Sequence, residues 1–211
     1  MKVFKLTNSE MKTYDGFQWK LKKTFKTSGD GGLCGPGFLH SYEHPLLAIM
    51  HNSIHGDFDL NTARMFEAEA DGKIKKDGQM KMGSSELTLV KEIKIPKVTI
   101  TQSIAYGILC AKEVCKDEDW NLWADNWLSG KDRSEETAKA ATAGWATRAA
   151  WAARVAGCAA EPAAEGAAWA AWVAAEKAAS AAWAAKAWAA GWAAAAARID
   201  LTQITEKAME Y

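Results

Sequence analysis

MFEAEADGKIKKDGQMKMGSSELTLVKEI, residues 65–93, decides the fold of the first half of this chain. Apolar and polar residues alternate through Met65–Ala70, and the run Leu87–Ile93 is rich in β-branched and aliphatic residues, so both read as strands. Asp71-Gly72 and Asp77-Gly78 are the dipeptides that two-residue hairpin turns favour, because glycine enters positive φ without steric cost. An antiparallel arrangement follows.

Working outward, Val3–Leu6, Gln18–Leu21 and Lys97–Ile100 carry the same strand signature, with turn signals at Asp15-Gly16 and across 28–32. The segment from Pro45 to His55 reads as a helix, with proline in its first turn and Gly56 past its end. A second helical stretch is predicted over about 101–128, capped by Thr101. In it Trp120, Trp123 and Trp127 form a single-faced stripe, either docked on the sheet or open to a partner.

Beyond a polar linker at 129–136 the composition changes. Alanine fills about every second position from Thr137 to Arg198, and seven of the eleven tryptophans lie beyond Ala143. Alanine is the strongest helix former, while Gly157 and Pro162 interrupt, so the expectation is an antiparallel helical hairpin. Trp169, Trp172 and Trp183 project within about 60° of one another on such a helix, and Trp188 and Trp192 form an i, i+4 pair on a different side. These five rings are the candidate interaction surface. Covering both sides calls for tight packing or a homo-oligomer. The fold class expected is therefore α+β: a small, mostly antiparallel N-terminal domain over 1–128, the linker, and an Ala/Trp-rich helical module over 137–211.

Bulk properties exclude several classes of function. The 211 residues carry 26 basic and 26 acidic side chains, so a basic nucleic-acid coat is not expected. The uncharged runs of the tail reach only about half the roughly twenty residues a membrane helix needs, and the N-terminus is charged from its second residue, which points to the cytoplasm. Cys34, Cys110, Cys115 and Cys158 lack paired metal or disulfide-scaffold spacing and read as free thiols.

All four histidines fall between His40 and His55. His51 and His55 are i, i+4 on the expected helix, a spacing that suits zinc or nickel, but no Cys pair or His-Glu-x-x-His pattern joins them and no metal is expected. The Gly-rich stretch Gly29–Gly37 lacks both the Walker ending and the Rossmann spacing, so it reads as turns and no cofactor is expected.

Lys2-Val-Phe-Lys, Gly16-Phe-Gln, Cys34-Gly-Pro-Gly-Phe with His40 and Pro45-Leu, Phe66-Glu-Ala-Glu-Ala-Asp-Gly, and Gly83-Ser-Ser-Glu-Leu-Thr-Leu, taken in that order, resemble a domain of unknown function common in bacteriophage proteins. Relatives of that kind often carry low-complexity tails. The resemblance implies a phage or prophage origin and brings no assigned activity; the function expected is that of a non-catalytic phage accessory protein in the host cytoplasm, acting through contact with a host or phage protein, for instance as an inhibitor of an anti-phage defence system. A second likeness is to ADP-ribosyltransferase-like folds, which use a basic first strand, a strand leading into a helix and a late strand bearing Glu. Lys5, the strand with His40, and Glu86 or Glu92 would take those places, although no Arg stands in the first strand. That likeness implies a nucleotide-handling cleft near His40, Tyr42 and Glu86.

Overall fold

A computed structural model describes residues 1–52, 56–79, 81–114, 118–134, 136–137 and 199–211. They divide into two compact units, Met1–Lys97 and Val98–Tyr211. The architecture is α+β: an antiparallel sheet with short helices, followed by helices. The proposed hairpin over 137–198, with Trp169, Trp172, Trp183, Trp188 and Trp192, lies outside the described residues, as do His55, Cys115 and Cys158.

The first unit contains β1 (Lys2–Thr7), β2 (Thr24–Lys26), β3 (Leu39–Ser41), α1 (Pro45–Met50), β4 (Arg64–Asp77) and β5 (Lys81–Ile93). β4 and β5 form one long hairpin that turns at Asp77-Gly78, where Gly78 has φ 51°. Asp71-Gly72, read from sequence as a turn, is instead an irregularity inside β4, across which the register steps from Asp71 opposite Glu86 to Ile74 opposite Ser84. Gly72 takes φ 74° there, and the Lys73 amide donates to Ser85 Oγ at 2.9 Å. The same dipeptide suits a hairpin turn and a bulge, because both need a residue at positive φ.

Alternation sets the faces of β4. Phe66, Ala68 and Ala70 are buried with Val3, Trp19, Leu39, Met82, Leu87 and Leu89 in the core, while Glu67 pairs with Lys2 and Lys91 outside it. β1 pairs with β4, β4 with β5, and both β2 and β3 with β5. An isolated bridge then joins Phe4 to Tyr42 through hydrogen bonds of 2.7 and 2.9 Å, so β3 returns to β1 and the sheet curls onto itself. Gln18–Leu21, expected as a strand, contributes only a bridge from Gln18 to Lys12. α1 is capped by His44, whose Nδ1 accepts from the Leu46 amide at 3.3 Å, and it runs to Met50; residues 53–55 of the expected helix lie outside the described residues.

The second unit opens with α2 (Ile100–Val114), followed by α3 (Glu118–Leu128) and, near the C-terminus, α4 (Leu201–Ala208). Lys97–Ile100 is not a strand. Thr99 Oγ1 accepts from the Gln102 amide at 3.1 Å and Gln102 Oε1 accepts from the Thr99 amide at 2.9 Å, a reciprocal capping box that starts α2 two residues before the expected Thr101. Trp120, Trp123 and Trp127 are all buried, so the stripe is packed rather than presented to solvent. The guanidinium of Arg133 stacks on Trp127, 4.6 Å from its ring centre. α4 buries Leu201, Ile204, Thr205 and Ala208, one helical face, and the Gln102 side-chain Nε2 donates to the Met209 carbonyl at 3.1 Å. No helix among the described residues is long and apolar enough to cross a membrane.

Candidate functional site

A cleft of about 730 Å³ opens in the first unit where β3 returns to β1. Its floor is Lys5. In β1, Val3, Lys5 and Thr7 share one face and all three are buried, so a lysine occupies a position where burial calls for an apolar residue. Lys5 is only 9% exposed. Its ammonium donates to the His40 carbonyl at 2.7 Å and lies 5.1 Å from the centre of the Trp19 ring. Among the described residues no carboxylate forms an ion pair with it. Burial disfavours the charged amine and lowers its pKa from the ordinary 10.5 to about 8.

One wall is aromatic. Trp19 is fixed by its indole N–H, which donates to Thr13 Oγ1 at 2.9 Å, and by edge contacts with Phe17 and Phe25 at 4.9 and 5.2 Å. Between Thr13 and Trp19 the chain makes a tight turn in which Asp15 takes φ 54°, a left-handed conformation that costs a non-glycine residue energy. This turn places Tyr14 at the mouth of the cleft, 92% exposed. The ring contributes little to the core, so the fold itself does not require it.

The opposite wall comes from β3 and the Gly-rich loop before it. His40 Nε2 contacts the Leu33 carbonyl at 2.5 Å, and since a carbonyl only accepts, Nε2 carries the hydrogen. Burial holds the His40 pKa below its ordinary value, against the pull of the Leu33 carbonyl and with help from the charges of Lys5 and Lys81. A neutral imidazole with Nδ1 as acceptor results. Tyr42 also lines the cleft, and burial raises its pKa. At the rim the Lys81 ammonium donates to Cys34 Sγ at 3.1 Å. Asn52 closes the far end, clamping Phe58 through bonds of 2.7 and 3.1 Å.

The structure thus brings together two of the three cleft residues expected from sequence, His40 and Tyr42. It places Glu86 elsewhere: its carboxylate pairs with Lys26 at 2.8 Å and does not line the cleft. Glu92 likewise pairs with Arg64 through two bonds of 2.9 and 2.6 Å. Asp15 is the one carboxylate among the cleft-lining residues. His51 is buried at the end of α1 with its ring 6.2 Å from that of Tyr42, and among the described residues no three His, Cys, Asp or Glu side chains gather as a metal site would need. Sequence reasoning passed over Tyr14, Phe17 and Trp19. Their signal was three aromatics within six residues around an Asp-Gly turn.

Residues 1–101 match the family model of a domain of unknown function, DUF7666. The match spans the sheet unit with its cleft and ends at the start of α2. No curated protein and no solved structure matches the chain.

Proposed function

We propose that the first unit is a ligand-binding domain whose cleft takes a small anionic molecule with a planar ring, a nucleotide being the natural class. The observation that carries this reading is the buried Lys5 ammonium, which has a carbonyl and a ring face for company and, among the described residues, no carboxylate in an ion pair. A buried cation without a counter-charge is costly, and a phosphate or carboxylate from a ligand would supply it. Tyr14 and Phe17 at the mouth offer faces on which a base stacks, a contact that contributes about 1–3 kcal/mol per base in single-stranded nucleic-acid complexes. Binding is favoured over group transfer because Glu86 and Glu92 are held in ion pairs outside the cleft. A thermal-shift screen of the full chain against nucleoside mono- and diphosphates and nicotinamide dinucleotides tests the proposal. Stabilisation by at least one nucleotide, reduced in Lys5→Gln, supports it; no shift at millimolar ligand removes it.

For the tail we propose the role its composition suggests: a helical hairpin over 137–198 that docks through its tryptophans on a host or phage protein, or on a second copy of the chain, in the cytoplasm of a phage-infected cell. Support comes from the Ala/Trp sequence and from the phage resemblance of the first hundred residues. In this combined reading the chain is an accessory protein with a ligand-binding head and an interacting tail.

A further inference from the structure

Lys5 differs from the other lysines of its sheet in ways that bear on chemistry as well as on binding. Lys2, Lys26, Lys73, Lys76 and Lys91 each hold a carboxylate on an outer face, while Lys75 and Lys81 donate to the Gly31 carbonyl and to Cys34 Sγ. Among the described residues Lys5 pairs with no carboxylate; it is buried and lines a cleft large enough for a small organic molecule. One N–H is anchored on the His40 carbonyl at 2.7 Å, which fixes where the nitrogen sits, and the Trp19 ring covers it on another side.

We propose that Lys5 is a carbonyl-capturing amine, whose Nζ condenses with an aldehyde carried on a planar ligand in the cleft and holds it as a protonated imine. The step balances without an oxidant or reductant. The ammonium first gives up a proton, and the Nζ lone pair then forms a bond to the carbonyl carbon while the C=O π pair moves to oxygen. The oxygen takes up two protons, one from the added nitrogen and one equal to that first released. It leaves as water, and the remaining iminium keeps the single positive charge of the starting lysine.

The surroundings favour this chemistry. The titratable groups lining the cleft around Lys5 are His40 from β3, Tyr42 just after it, Lys81 from β5, Cys34 from the Gly-rich loop, and Tyr14 and Asp15 from the aromatic turn. Burial holds His40 and Tyr42 in their neutral forms, and burial alone lowers the pKa of Lys5. With its pKa at about 8, Lys5 has roughly a tenth of its molecules as free amine at pH 7. An ordinary lysine has about one in three thousand, so the reactive form is enriched by a factor of about 300.

The inference goes beyond nucleotide binding and does not depend on it. Its test treats the full chain with 2-hydroxybenzaldehyde and cyanoborohydride at low conversion and maps the modified lysines by peptide mass spectrometry. Lys5 is expected to be modified at least tenfold faster than exposed Lys22 and Lys23 at pH 7. Its rate should level off above about pH 8. In Lys5→Arg the fast modification should vanish and the slow ones persist. Modification of Lys5 no faster than Lys22 in the wild-type chain, a comparison that needs no variant, would overturn the proposal. Nucleotide binding without fast modification overturns this inference alone; fast modification without nucleotide binding overturns only the nucleotide reading.

Discussion

The ammonium of Lys5, in the first strand of the chain, donates at 2.7 Å to the carbonyl of His40, 35 residues later in β3. That bond marks the place where β3 returns to β1, and it brings a buried amine, a neutral imidazole and an aromatic wall into one cleft.

Lys5 should make stability depend on pH in a defined direction. Its folded pKa, about 8, lies below the ordinary 10.5, so at any pH between them the unfolded chain binds more protons than the folded chain. Stability contributed by this group therefore rises with pH across that window and is lost as pH falls through about 8. Urea unfolding of the wild type and of Lys5→Met, compared from pH 7 to 10.5, should show the wild type gaining about 3 kcal/mol on the variant. Parallel pH profiles would remove the buried-amine assignment.

Gly37 should be intolerant of a side chain. A Cβ there would lie 2.0 Å from the Asp30 carbonyl oxygen, a backbone atom that cannot swing away. Gly37→Ala is expected to cost about 1–3 kcal/mol and to pull the loop off its anchors, which include Lys81 on Cys34 and His40 on Leu33. Faster reaction of Cys34 with a disulfide reagent, alongside a lower unfolding midpoint, would register the change.

How much of this was legible in the sequence depended on whether the cause was local. The β4–β5 hairpin was, because the alternation at Phe66, Ala68 and Ala70 states which face is buried. The character of Asp71-Gly72 was not, since turn and bulge draw on the same dipeptide and only the partner strand decides between them. Lys97–Ile100 looked like a strand on its branched residues, but the Thr99–Gln102 capping box committed the chain to helix there. His40 and Tyr42 were found through the resemblance. The aromatic turn was missed, and Glu86 lay elsewhere, because the bridge from Phe4 to Tyr42 that shapes the cleft is a pairing no local pattern announces.

In the second unit the start of α4 is open to a simple check. Asp200 Oδ1 accepts from the Gln203 amide at 3.0 Å and caps the helix. Asp200→Ala should cost about 0.5–2 kcal/mol. Hydrogen exchange should show faster opening of Leu201–Ala208, with β4 and β5 unaffected.

The tail proposal separates from the cleft proposal by mutation. Replacing Trp188 and Trp192 by alanine should reduce capture of partner proteins from infected-cell lysate, or shift the oligomer toward monomer in sedimentation, while nucleotide binding stays at the wild-type level. An unchanged partner set together with unchanged sedimentation would reject those two rings as the docking surface.

The most direct measurement is an NMR titration of the full chain with the best-stabilising nucleotide, reading backbone amides, the Trp19 indole N–H and the His40 ring. Saturable shifts concentrated at Lys5, Tyr14–Trp19 and His40–Tyr42, weakened at least tenfold in affinity by Lys5→Gln, are the predicted result. No saturable shift with any nucleotide, or shifts that spare Lys5 and Trp19, would contradict the cleft as the functional site.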